Sequence, residues 1–335
     1  MEATNLKIWT GLLNSLTKPT LLSFVKDEMQ FEVSSELNKE DLVKFVIKKI
    51  SEDEALLDLL TDYMNDLEAW GRQHIFLYRS DPKDRASFRE LKEKDLNKML
   101  ADSNINLKLN EYKSIFIPEK AGYEIYQIDF EEDKRFTVFW VQRKIVRARL
   151  DDEDFIEGDI EYHAWGTYVA RGLLILDWNL ATGQMMIRIT QAETKDTYDV
   201  GKKYALQFLN NVMGISIHNW NFQDIRKSIA HIKDSGEVST KKYNQETLAG
   251  GKQSLQARDK NTGVEKDAEL NQASKVLKDK YASTYGNFFW LEKDDKLDKE
   301  IHTTIDSNTR SLIVFGLQDE ETVRYIIGRI IHYSN

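Results

Sequence analysis

The hydrophobic pattern of this chain changes its period once, close to Pro118, and that change constrains the fold more than any other feature. Before it, apolar residues recur three and four positions apart. After it they alternate, as in Tyr123–Phe130 and Phe136–Leu150, and proline does not occur again. The first spacing lines one stripe of a helix; alternation lines one face of a strand. The pattern predicts an α+β chain, with an N-terminal helical bundle over residues 1–112 and a mainly antiparallel sheet domain with packed helices over 113–335. Two units also suit 335 residues, because single cores stop growing at about 250–300 residues.

Within the helical part, Leu6, Trp9, Leu12, Leu13 and Leu16 form one stripe that Pro19 ends, and Thr20 is placed to cap the next segment. Asn38 precedes a helix carrying Leu42, Val43, Val46 and Ile50, and Ser51 with Glu54 has the spacing of a capping box before Leu56, Leu60, Tyr63, Leu67 and Trp70. Pro82 interrupts the pattern, and Phe88, Leu91, Leu96 and Leu100 predict one more helix.

In the second part, Tyr168–Asn179 and Gln184–Thr190 flank Ala181-Thr182-Gly183, where glycine supplies the positive φ of a hairpin. Helices are expected to end at Gly214 and Gly236. Residues near 237–267 are polar and rich in Lys, Gln, Asn and Gly, which predicts an exposed, mobile insertion. A helix over Leu270–Tyr281, a strand over Asn287–Glu292, a hairpin of Ile301–Ile305 with Ser311–Phe315, and a last helix capped by Asp319 complete the expectation.

Composition excludes several functions. With no cysteine there is no disulfide, thiolate nucleophile or cysteine-ligated zinc. A net charge of −9 argues against broad coating of DNA, since non-specific binding needs many Lys and Arg contacts with phosphates; any nucleic-acid contact is therefore local. No apolar run approaches the ~20 residues that span a bilayer, and the start, MEATNLKIWTGLL, lacks a basic leader. A cytoplasmic chain without membrane contact is expected.

The strongest recognition feature is FTVFWVQRKIVRARL, Phe136–Leu150, which at a period of two puts Arg143, Arg147 and Arg149 on one strand face. Val138, Trp140, Val146 and Leu150 form the core side, and Lys144 falls among them. Such arginines bind acidic partners or phosphates. The acidic run Asp151, Asp152, Glu153, Asp154, Glu157, Asp159 and Glu161 follows at once, so pairing within the chain is the competing role.

Candidate chemistry is sparser. Asp177 followed by Glu193-Thr194-Lys195 has the composition of a metal-dependent nuclease site, in which two carboxylates hold Mg²⁺ and a lysine steadies the attacking water or the phosphate. Asp159, Glu161 and His163 alternate and would share a strand face, a spacing compatible with a divalent metal. Gly250-Gly251-Lys252-Gln253-Ser254 lacks the first glycine of a phosphate loop and no apolar strand precedes it, so it is not read as a nucleotide site.

The helical segment ending in Leu56–Trp70 (LLDLL…EAW), followed by the alternating FTVFWV of Phe136–Val141, resembles the layout of the centromere protein N family of inner-kinetochore proteins over most of the chain. The resemblance implies a pyrin- or death-like helical domain and a contact with nucleosomal DNA. Such a contact needs a basic surface, whereas Glu28, Glu32, Glu36, Glu40, Asp41, Glu52, Asp53 and Glu54 make this region acidic. The resemblance thus implies a shared layout with another partner, and no family site is carried onto any residue.

The expectation is a non-enzymatic adaptor, free of cofactors, that binds a protein partner and locally nucleic acid through Arg143, Arg147 and Arg149. The alternative is a Mg²⁺-dependent nuclease using Asp177, Glu193 and Lys195.

Overall fold

The computed structural model describes residues 3–80, 89–111, 115, 117–149, 155–157, 160–191, 195–247, 250–276, 281–293, 296–297, 299–316 and 318–334. The layout is α+β, with N-terminal helices and a mainly antiparallel sheet of eleven strands. The chain forms two compact units. One comprises Met1–Asn65, Tyr112–Tyr126 and Trp140–Gly172, the other Asp66–Glu111, Gln127–Phe139 and Leu173–Asn335.

The first unit opens with α1 (Ala3–Ser15), α2 (Lys18–Ser23), which continues through a π-turn at Phe24–Glu28, α3 (Lys39–Glu52) and the start of α4 (Glu54–Trp70). Their stripes meet: Leu12, Leu13, Leu42, Val46 and Leu60 are buried, and Phe24 lies 4.6 Å from the Tyr63 ring. Asn38 opens α3 as expected, its Oδ1 accepting from Asp41 N at 2.8 Å. Two caps differ from the sequence expectation. Thr17, not Thr20, caps α2, because Pro19 lacks an N–H and sits inside the first turn. Ser51 stays inside α3, donating to Ile47 O at 2.7 Å, and Asp53 instead accepts from Ala55 N at 3.0 Å.

Beyond α4 come β1 (Gln73–Ser80), α5 (Glu93–Asp102), β2 (Glu124–Glu131), β3 (Arg135–Arg149), β4 (Phe155–Glu157), β5 (Ile160–Tyr162), β6 (Trp165–Asn179) and β7 (Gln184–Thr190). Next are α6 (Lys195–Met213), β8 (Trp220–Phe222), α7 (Arg226–Asp234), β9 (Val238–Thr247), β10 (Lys252–Gln256), α8 (Gly263–Lys266) and α9 (Ala268–Val276). The last are β11 (Tyr281–Trp290), β12 (Ile301–Asp306), β13 (Ser311–Val314) and α10 (Glu320–His332). The sheet runs β10-β9-β11-β12-β13-β1-β7-β6-β3-β2, with β8 also on β1; β4 and β5 pair separately.

The β6–β7 hairpin turns at Gly183, whose φ of 74° is the left-handed conformation that glycine adopts without strain. Asp319 caps α10 through Thr322 N at 2.7 Å, and Val323, Ile326, Ile327 and Ile330 are buried beneath that helix. The β2 edge is occupied by Asn110, whose amide donates to Phe130 O at 3.1 Å and accepts from Phe130 N at 2.8 Å.

Three expectations about chain organisation are corrected. Residues 73–80 lie in the stretch read as helical, yet form a strand paired with β7, β13 and β8; Ile75, Phe76, Leu77 and Tyr78 are all buried, and a run buried on both faces carries no alternation. Residues 237–267, expected to be a mobile insertion, supply β9, β10 and α8, with Val238, Ser239, Thr240, Tyr243 and Gln245 buried between neighbouring strands. Backbone pairing to β11 orders this polar segment, which lacks the apolar side chains to order itself. The compact units, finally, do not divide at residue 112, because α4, β2, β3 and β6 each contribute to both.

Across β11 and β12, Gly286, Phe288 and Trp290 share a face with Ile305, Thr303 and Ile301, and α7 covers it. A Cβ on Gly286 would stand 2.2 Å from the fully buried Phe288 ring. Gly286→Ala is expected to destabilise the chain by about 1–3 kcal/mol through overpacking, read as a lower urea midpoint.

On the other face His302 is stacked between Phe289, at 4.5 Å, and Phe315, at 4.2 Å, while on β1 His74 stacks on Tyr198 at 4.0 Å. Burial lowers the pKa of both imidazoles, that of His74 to about 4. An unfolded histidine titrates near ~6.5, so between these values the unfolded chain binds more protons and stability falls as pH drops. Urea midpoints measured from pH 7 to pH 4 should fall less steeply in His74→Phe than in the natural chain.

Candidate functional site

Asp177, the residue around which the nuclease alternative was built, is enclosed by arginines in the second unit. It is 2% exposed on β6. Arg135 of β3 grips both its oxygens, Nε to Oδ1 at 2.9 Å and Nη2 to Oδ2 at 2.8 Å, and Arg324 of α10 donates to Oδ2 at 2.8 Å. Arg188 of β7, 1% exposed, stands 3.7 Å away. Its guanidinium also donates to Ala69 O and lies 3.6 Å from the Trp70 ring centre. Glu320 closes the cluster, accepting from Arg135 and Arg324.

Burial pushes the Asp177 carboxyl up, and the Arg188, Arg135 and Arg324 guanidiniums outweigh it, holding the group below the usual carboxylate range. Burial also pulls Arg188 down, to about 10, which leaves it protonated at neutral pH. Asp177 is thus committed to ion pairs, and metal ligation would require it to give up an arginine. Among the described residues no group of three or more His, Asp or Glu side chains is placed to hold a metal ion.

Glu193 and Asp159 lie outside the described residues, as do Asp151, Asp152, Glu153, Asp154 and the side chains of Lys195, Arg147, Arg149 and Glu157. Glu161 and His163 are exposed, 3.9 Å apart. On β3, Val138, Trp140 and Val141 are fully buried, Arg143 is exposed, and Ile145, the next residue on the arginine face, is 70% exposed. Lys144 lies against Gly172, where a side chain would collide with its stem, and this close approach accounts for a glycine inside β6. Gly250-Gly251 lies in the connection between β9 and β10, with Gly251 N donating to Thr247 Oγ1 at 2.8 Å.

A groove in the second unit went unseen in the sequence. Its larger lobe, about 580 Å³, lies between the segment from Asn221 to Arg226 and the β12–β13 turn at Ser307, Asn308 and Arg310. A smaller lobe of about 280 Å³ lies over the sheet, where Ser254, Asn244, Tyr285 and Asp306 stand side by side across four strands. Both lobes share Glu246, Thr284 and Asn308. The lining residues come from separate polar segments, none with a motif, so only their convergence marks them.

No model of a known protein family matches this chain, and no curated protein is significantly similar to it.

Removing Asp177's charge leaves Arg188 buried beside two like charges. Asp177→Asn is expected to cost about 3–5 kcal/mol in urea unfolding. Because the folded carboxyl titrates below its unfolded value, this contribution is present above the ordinary carboxylate range and lost as pH falls through the folded pKa.

Proposed function

We propose that this protein is a non-enzymatic adaptor that binds a protein partner through the β3 face bearing Arg143, Arg147 and Arg149. The observation that carries the reading is Ile145, 70% exposed beside exposed Arg143 on a strand whose Val138, Trp140 and Val141 are fully buried. An isoleucine in water beside arginine is the composition of an interface centre, where an apolar side chain anchors and cations select an acidic rim. A phosphate backbone gives Ile145 nothing to bury against, so a protein surface with carboxylates around an apolar patch fits better than nucleic acid. Trp165 at the start of β6 is a further large exposed side chain in the same unit. No helix among the described residues is long and apolar enough to cross a membrane, and a cysteine-free chain suits work in the cytoplasm.

The test is affinity capture from extracts of the source cells, with natural chain and Arg143→Glu/Ile145→Asp compared at equal melting temperature. A stoichiometric protein partner retained by the first and lost by the second is expected. Retention of every partner by the double variant would remove the role from β3. Metal-dependent cutting of DNA or RNA, abolished by Glu193→Ala, would replace the adaptor with the nuclease.

A further inference from the structure

From the groove's chemistry we infer a second binding site, for a neutral, hydroxyl-rich ligand of the oligosaccharide class. The larger lobe alone, at about 580 Å³, is the size of a small-molecule site, and the adjoining lobe extends it along the sheet.

Charge decides against a phosphate ligand. The groove holds Asp224, Glu246 and Asp306 against Arg226, Arg310 and Lys252, three of each sign. Arg226 is spent on Asp224, with contacts of 3.0 and 2.7 Å, and the Arg310 guanidinium lies 4.6 Å from the Phe222 ring centre. Among the lining residues a phosphodiester would meet no cationic surplus and would face Glu246 and Asp306.

The hydrogen-bonding groups favour hydroxyls. The side chains of Asn221, Glu246 and Asn308 have no hydrogen-bond partner among the described residues, and Asn244 accepts from Ser254 at 2.8 Å with its amide hydrogens left to donate. An amide donates and accepts, a carboxylate only accepts, and a hydroxyl does both. A run of hydroxyls therefore answers this mixed set where a purely accepting anion does not. Tyr285, half-buried in the row of Ser254, Asn244 and Asp306, supplies an aromatic ring for the C–H face of a sugar. Sites built to bond hydroxyl groups discriminate strongly against ligands that lack them.

The test is isothermal titration of the full chain with cellohexaose, maltohexaose and chitohexaose, alongside inorganic phosphate and an oligothymidylate. One neutral oligosaccharide is expected to bind with sub-millimolar affinity. Glu246→Gln/Asn308→Ala should weaken it about ten-fold or more without lowering the melting temperature, and Asn221→Ala, away from the turn, should weaken it too. Arg143→Glu should leave it unchanged, which separates this site from β3. Absence of binding to all three sugars, displacement by phosphate or oligothymidylate, or unaltered affinity in both groove variants would overturn the assignment.

Discussion

A carboxylate and a guanidinium 3.7 Å apart, both shielded from water, persist only where surrounding groups offset their desolvation, and this requirement at Asp177 and Arg188 organises the second unit. Strands β3, β6 and β7 and helix α10 each deliver one or two charges to the cluster, while the end of α4 supplies a carbonyl and an indole face. Misplacing any of these elements strands a charge in the interior. Ion pairs of this kind add little net stability over a hydrophobic core.

Much of the fold was legible because it rests on local rules. Asn38 and Asp319 cap their helices through hydrogen bonds three residues away, and Gly183 takes the turn conformation its hairpin demands. What escaped the sequence depends on distant partners. Two of the three arginines that enclose Asp177, those that hydrogen-bond it, are 42 and 147 positions away, so the carboxylate reads equally well as a metal ligand or as half of an ion pair. β1 loses its alternation because both faces are buried, and β9 looks like a solvated loop because its order comes from the strands beside it.

The two candidate surfaces illustrate the same division. Arg143 could be found by counting, since alternation along one strand fixes which residues share a face. Glu246, Thr284 and Asn308 belong to a strand, a strand irregularity and a turn that the sheet topology alone brings together. Their individual side chains are ordinary, and their chemistry exists only as a set.

Asn110 mimics a neighbouring strand at Phe130, satisfying both backbone groups that β2 would otherwise offer to solvent. A second copy of the chain finds no free template at that point, so edge-to-edge polymerisation is blocked there by one amide group. The protection costs no charge and no proline, and it leaves β2 uninterrupted.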